Sequence, residues 1–468
     1  MGAQDGEAGP AEVCVIGAGS SGIAVAKALK ERGISFDCFE LGSDTGGNWR
    51  YGNDNGLSSS YRSLHIDTSR KNLQYSDFPI PEHLPDFMSH WQVMEYLDNY
   101  VDHFGVRPHI RFNTKVEEIK PTQDGGWDVR LGNGEIRRYR AVIAANGHLS
   151  EPRYPDFPGT FHGTQSHSHA YKTADPFEGK DVLVVGIGNS AVDIAVDVCR
   201  RANSVHLSTR RSAWIMPKYI MGIPTDRWSA FLARKLGLPT WMARAIISKL
   251  MYLTVGNQER YGVPKPQHPM WREHATLSQE LLPHIGHGWI QVKPNVQELR
   301  GDKVVFVDGS EIACDAIIYA TGYKTHFPFL DPALFDAEQG AAALYRRMAA
   351  PKLPGLYFAG LIQPIGATIP LVEIQAKWLA GVLAGEIKLP RVAEMEAEIA
   401  RHQAAIRKQF VNSPRYLLEV DFKTYAGELR KDMGEKRAGL FSGRLPTSAI
   451  RNVLQRPRVQ TSPENNND

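Results

Sequence analysis

The chain has 468 residues, 42% of them hydrophobic and 22% charged, which is ordinary globular composition and length enough for two or three domains with sizeable cores. Its 54 Lys and Arg against 51 Asp and Glu leave a net charge of +3, too small an excess to call for a nucleic-acid partner. No stretch approaches about 18 uncharged apolar residues, so no spanning helix is predicted. The segment before Ala11 is short, polar and acidic, which reads as neither signal peptide nor anchor, and a cytoplasmic location is expected.

The first predicted unit is a strand, Val13 to Ile16, a glycine turn, Gly17-Ala18-Gly19-Ser20-Ser21-Gly22, and a helix from Ile23 to Glu31. In such a turn Gly17 supplies the backbone angles, Gly19 lets a pyrophosphate approach, and Gly22 lets helix and strand pack closely. The phosphates then sit where free N–H groups and the helix dipole favour negative charge. A second strand, Phe36 to Phe39, ends in Glu40 at the spacing where a carboxylate accepts from both ribose hydroxyls. The unit is therefore expected to hold FAD. Gly46-Gly47-Asn48-Trp49 follows, with Trp49 either covering flavin ring surface or serving as a core tryptophan. A strand pattern at Arg140 to Ala145 closes this part.

The second unit is a strand, Val182 to Val185, the turn Gly186-Ile187-Gly188-Asn189-Ser190-Ala191, and a helix from Val192 to Arg201. Its acceptor strand, Ser204 to Thr209, ends in Arg210-Arg211 instead of an acid. Guanidinium pairs with a 2′-phosphate, so NADPH is expected over NADH, with the Ser208 and Thr209 hydroxyls as further donors; solvated surface arginines are the bland alternative. Residues 214–288 carry no glycine fingerprint and are rich in Trp, Met and Pro, which reads as a helical insertion over the cleft. Its basic, apolar piece from Arg227 to Leu253 is assigned to a packed subdomain in preference to a membrane-surface helix.

A strand at Ala316 to Ala320 leads through Thr321-Gly322, placed at the junction of the two units, and the chain returns to the first unit near Tyr323. A late helix spans Ile369 to Gly381, and the tail beyond Arg451 is expected to be disordered. The fold class is α/β with two Rossmann-like dinucleotide domains, the second inserted in the first. The FAD domain takes 1–165 and 326–450, the NADPH domain 166–325, and the tail 451–468. Cys14, Cys38, Cys199 and Cys314 have no metal-type or CxxC spacing, which reads as free thiols, predicts no metal, and disfavours a disulfide reductase.

Phe161 to Lys172, reading FHGTQSHSHAYK, matches the pattern FxGxxxHxxx(Y/F)(K/R), and in it the chain resembles the flavin-containing monooxygenases, relatives of the Baeyer–Villiger monooxygenases. Tyr61 to His65, Ser76 to Pro79, Gly186 to Asp193 and Pro354 to Gly360 resemble the same family. The resemblance implies hydride transfer from NADPH to FAD, a flavin C4a-hydroperoxide, and oxygen transfer to an amine nitrogen or a sulfide, with ketone oxidation as the alternative. It implies an architectural His167. It also places Ile66, Asp67 and Thr68 at the flavin, Asp67 standing where many relatives have Asn. A carboxylate donates a proton only if burial raises its pKa, and Asp67 is the candidate catalytic residue on that ground, a solvated loop Asp that caps a turn through Thr68 or Ser69 being the bland alternative. Small-molecule substrate and O2 are the expected partners, and a homodimer is left open.

Overall fold

The computed structural model describes residues 11–273, 275–409 and 418–435. The segment before Ala11 and the tail 451–468 lie outside them. Strands β1 (Val13–Ile16), β2 (Phe36–Phe39), β3 (Ile110–Arg111) and β4 (Ala141–Ala144) begin one sheet. Strands β5 (Thr164–His167), β6 (Asp181–Val185), β7 (Ser204–Ser208), β8 (Ile290–Lys293) and β9 (Ala316–Tyr319) form another, and β10 (Leu356–Phe358) then returns to the first. The orders are β10-β4-β1-β2-β3 and β5-β9-β6-β7-β8, every pairing parallel. The second sheet is thus inserted in the chain of the first.

Parallel strands covered on both faces are apolar at successive positions, without the alternation of a half-exposed sheet. In β1, Val13 and Val15 feed one core while Cys14 and Ile16 feed the opposite one. Helices α1 (Ser20–Glu31) and α5 (Ile369–Leu383) cover the first of these faces, with Ile23, Leu29, Leu371 and Trp378 fully or almost fully buried. In β6 the same division puts Val182 and Val184 against α2 (Asn189–Val198), and Leu183 and Val185 on the other side.

The segment 214–288 is mixed, not purely helical. It holds α3 (Thr225–Arg234) and α4 (Thr240–Val255), together with two short ladders, Ile215–Met216 with Thr276–Leu277 and Tyr219–Ile220 with Ile223–Pro224. Met216, Ile220, Leu232, Ala243, Ile247 and Met251 give it a small core of its own. Its last part, Leu281–Gly286, instead buries Leu281 and Leu282 in the core of the second sheet. The four cysteines are free, Cys14, Cys38 and Cys314 buried and Cys199 half-buried. Among the described residues no helix is long and apolar enough to cross a membrane.

Candidate functional site

Both glycine turns leave the carboxyl end of a central strand and open a helix. Gly17 has φ 101°, and a Cβ there would lie 2.7 Å from the Ala145 carbonyl oxygen. A Cβ on Gly22 would lie 1.8 Å from the Gly17 carbonyl oxygen, so this position is closed by packing alone. Gly19 and Gly188 differ. The first has only the Gly47 Cα at 3.7 Å and a second Gly47 atom at 4.0 Å, and the second has nothing within 4 Å. The N–H groups behind them, from Ser20, Ser21 and Gly22 and from Asn189, Ser190 and Ala191, belong to first helical turns and have no intrahelical acceptor. We expect Gly22→Ala to be recovered with little or no bound flavin, read as flavin absorbance per chain; normal loading would show that α1 can move off the turn.

The Glu40 carboxylate is 4% exposed and already employed: Oε2 accepts from the Ala18 N–H at 2.7 Å, and Oε1 from the Gly42 N–H at 2.8 Å and Asn55 Nδ2 at 3.1 Å. It braces the turn besides offering its remaining lone pairs outward. Asn48 Oδ1 accepts from the N–H and the hydroxyl of Ser59, both at 2.8 Å, which leaves its Nδ2 as the outward donor. Trp49 is partly buried and packs against the first core.

At the end of β7 both candidate hydroxyls have acceptors within the chain. Ser208 is fully buried and its hydroxyl donates to the Pro294 carbonyl at 2.7 Å, while the Thr209 hydroxyl donates to the Arg211 carbonyl at 2.6 Å. Each hydroxyl has a single proton, so donating to a phosphate would require it to leave that carbonyl. Arg210 and Arg211 are exposed and take part in no ion pair among the described residues.

Asp67 lies at a seam of three pieces of chain. Its own loop is fixed by Ile66, which is 2% exposed and donates its N–H to the Met88 carbonyl at 2.9 Å. From the 214–288 segment, Lys218 Nζ stands 3.1 Å from Asp67 Oδ1, donates to the Ile66 carbonyl at 3.1 Å, and lies 5.4 Å from the centre of the Phe87 ring. From α2, Asp193 accepts from the Tyr61 hydroxyl at 2.8 Å. Burial raises the pKa of Asp67, and Lys218 only partly offsets it. Burial also raises Asp193, to which the Asp67 charge adds, against Lys218 and the Tyr61 hydroxyl. Two buried carboxylates facing one lysine retain a proton above the usual carboxylate range. Thr68 is half-buried beside them. Neither Lys218 nor the Asp193–Tyr61 bond was signalled by a sequence pattern, since each partner is distant in the chain.

The segment Phe161 to Lys172 fastens this seam. Lys172 Nζ donates to the carbonyls of Ser58 and Ser60 at 2.7 and 3.0 Å, and the Tyr171 hydroxyl donates to Asp197 on α2 at 2.7 Å. His167 is 1% exposed, its ring 5.4 Å from Tyr154 and 5.2 Å from Tyr323, and burial lowers its pKa to about 4. It is an uncharged packing residue at neutral pH. Thr321 donates its hydroxyl to the Arg153 carbonyl, and Gly322, with φ 84°, accepts from the Arg153 N–H at 2.9 Å. Both tie down the linker between the sheets. An unfolded chain protonates this histidine below its ordinary value near 6.5 while the folded one resists until about 4, so stability should fall as pH drops through that window. Melting temperatures from pH 7 to 4.5 should show it, with a smaller decline in His167→Gln; equal slopes would remove His167 as the cause.

A family model described as flavin-binding monooxygenase-like matches residues 11–443. Flavin-containing monooxygenase 5 of Cavia porcellus is 36% identical over 446 residues, covering 91% of this chain and 83% of the relative. Dimethylaniline monooxygenase [N-oxide-forming] 2 of Rattus norvegicus is 36% identical over 449 residues, with the same coverage. Among solved structures, S-allyl-L-cysteine S-oxygenase from Allium sativum superposes with TM-score 0.68 at 25% identity, covering 91% of this chain and 89% of that one. An open cyclohexanone monooxygenase has TM-score 0.68 at 18% identity, covering 91% and 98%, which shows the shared fold. With its paired parallel sheets, two open glycine turns and a match along nearly its whole described length, this chain belongs to the flavin-binding monooxygenase-like family and is an FAD- and NADPH-dependent monooxygenase.

Proposed function

We propose that the protein oxygenates a small soft nucleophile, a sulfide or an amine nitrogen, at the seam around Asp67. The observation that carries this reading is the convergence there of the Asp67 loop, whose Ile66 is buried in the core of the first sheet, the helix that opens at the second glycine turn, and a lysine from the 214–288 segment. The 36%-identical relative whose name specifies N-oxide formation and the S-oxygenase neighbour support the substrate class. FAD reduced by NADPH supplies the activation of O2; the remaining work belongs to the chain. The N–H groups behind Gly19 and the Glu40 carboxylate hold the dinucleotide of FAD, with Asn48 Nδ2 and Trp49 on its ring side. Those behind Gly188 hold the pyrophosphate of NADPH, and Arg210 and Arg211 its 2′-phosphate. Ile66 and Thr68 keep Asp67 in place, Lys218 orients its carboxyl group, and burial, which outweighs the pull of the lysine on the pKa, lets that carboxyl keep a proton to donate.

A second reading, insertion of oxygen into a ketone, is favoured by the Asp67–Lys218 ion pair, since a cation at the seam suits a more anionic oxidant. NADPH consumption with a thioether, a tertiary amine and a cyclic ketone, followed by product identification, separates the two. Sulfoxide or N-oxide in step with NADPH supports the first, and lactone or ester the second. Hydrogen peroxide as the sole product from all three would remove both.

A further inference from the structure

We infer that the segment from Glu419 to Asp432 clamps the seat of FAD, with Gln375 and Tyr425 as positioning residues that set the loop Gly360 to Gly366 against the first glycine turn. This loop leaves the carboxyl end of β10, the end of a parallel sheet outside which ligands bind, and leads into α5. It lies on the turn itself: a Cβ on Gly360, which has φ 76°, would overlap the Ser21 hydroxyl. The path of the loop is therefore part of what shapes the seat.

The segment holds the loop at three places. Gln363–Ile365 pairs in parallel with Glu419–Asp421, Gln363 opposite Glu419 and Ile365 opposite Asp421. A Cβ on Gly366 would lie 3.6 Å from the Phe422 side chain, in ordinary contact. The third hold is a buried file of polar groups. The Gly360 N–H donates to Gln375 Oε1 at 2.9 Å, Gln375 Nε2 donates to the Tyr425 hydroxyl at 2.7 Å, and that hydroxyl donates to the Arg346 carbonyl at 2.7 Å. Gln375 and Tyr425 are 0% and 3% exposed, so water does not replace a lost partner. The direction is forced. The single proton of the Tyr425 hydroxyl is committed to a carbonyl, so its oxygen must accept, which turns the amide nitrogen of Gln375 toward it and the amide oxygen toward Gly360.

The far end of the file is anchored. Arg346 and Arg347 have φ 50° and 58°, the left-handed region that residues other than glycine seldom adopt. The Arg346 guanidinium holds that turn through ion pairs with Asp432 at 2.8 Å, Glu428 at 3.1 Å and Glu398 at 3.3 Å, and Asp432 also accepts from Trp378 Nε1 of α5 at 3.2 Å. Glu428 and Asp432 belong to the same helix as Tyr425, Phe422–Asp432, so one helix fixes both the hydroxyl and the carbonyl it points at. Tyr425, Ala426 and Leu429 are themselves buried in the core of the first sheet, and the clamp acts on the seat through the loop.

The test is titration of the deflavinated full chain with FAD, followed by flavin fluorescence, together with melting temperatures with and without FAD and the visible spectrum of the bound flavin. Tyr425→Phe removes a hydroxyl alone and should weaken FAD binding roughly threefold to tenfold. FAD should then raise its melting temperature less than that of the wild type, and the flavin absorption bands should shift. Gln375→Met, which cannot accept from Gly360, should lose at least as much, and Tyr425→Phe added to it should lose nothing further, since the two groups act in series. Lys423→Ala, an exposed change on the same helix, should bind FAD as the wild type does. Wild-type affinity in Tyr425→Phe overturns the clamp, as does an equal fall in melting temperature with and without FAD, which is what a purely structural brace would give. Additive losses in the double variant overturn the series. The inference rests on the seat of FAD at the first glycine turn, which Gly22→Ala tests separately.

Discussion

Replacing Arg210 and Arg211 together with alanine should raise KM for NADPH roughly 10- to 100-fold while KM for NADH stays within about twofold, because a charge-assisted hydrogen bond contributes about 1.5–3 kcal/mol. The magnitude follows from how little else at the end of β7 can serve a phosphate. The Ser208 and Thr209 hydroxyls donate to the Pro294 and Arg211 carbonyls, so in the proposed reading the guanidinium groups are the groups left to carry the selectivity. Ser208→Ala should accordingly leave the NADPH to NADH ratio unchanged. If the arginines are merely solvated charges, the double variant will shift neither constant, and steady-state kinetics with both nucleotides decides it.

Lys218→Met should be the most damaging single change at the seam. Lys218 and Asp67 are 15% and 26% exposed at the side chain, so the loss leaves a largely desolvated carboxylate facing Asp193 with no cation. Breaking such a pair costs about 3 kcal/mol. We expect a lower melting temperature, a kcat reduced roughly 100-fold, and a larger share of NADPH consumed as hydrogen peroxide. The sign of the pH effect is fixed by the raised carboxylates. A group whose pKa is higher folded than unfolded stabilises most at low pH and loses that contribution as pH rises through its folded value. Removing the lysine raises both carboxylates further, so the variant should suffer most at alkaline pH. Asp67→Asn added to Lys218→Met should recover stability but not the wild-type pH profile. If the double variant is no more stable than Lys218→Met, Asp67 and Lys218 are not coupled.

What the sequence made legible was local in the chain or repetitive in character. Val13 to Ile16 and Val182 to Val185 are apolar at every position because both faces of their sheets are covered, and Gly17 and Gly22 stand where a side chain would meet backbone. Glu40 and Arg210 are placed by counting from those turns. What escaped depends on contacts between distant segments. Lys218 reaches Ile66 across 152 positions, Asp226 reaches Ser69 across 157, and Tyr61 reaches Asp193 across 132. A lysine in Met216-Pro217-Lys218-Tyr219 has no periodicity that distinguishes a buried partner from a surface charge. The carbonyl partners of the Ser208 and Thr209 hydroxyls were hidden for the same reason. A side chain at a strand end shows its residue type in sequence, but not the carbonyl to which its proton has gone.

The strand Leu356–Phe358 pairs with Ala141–Ala144, so the first glycine turn belongs to a sheet that cannot be completed until most of the chain has left the ribosome. The inserted sheet, by contrast, has all its strands once residue 319 emerges. Synthesis at about 5–20 residues per second favours domains that finish early. The inserted sheet is therefore the part whose strands are complete first, while β4 waits with an open apolar edge. Flavin capture becomes a late, quality-controlling event: a chain truncated ahead of Leu356 would retain a foldable nucleotide domain yet lack a finished seat for FAD.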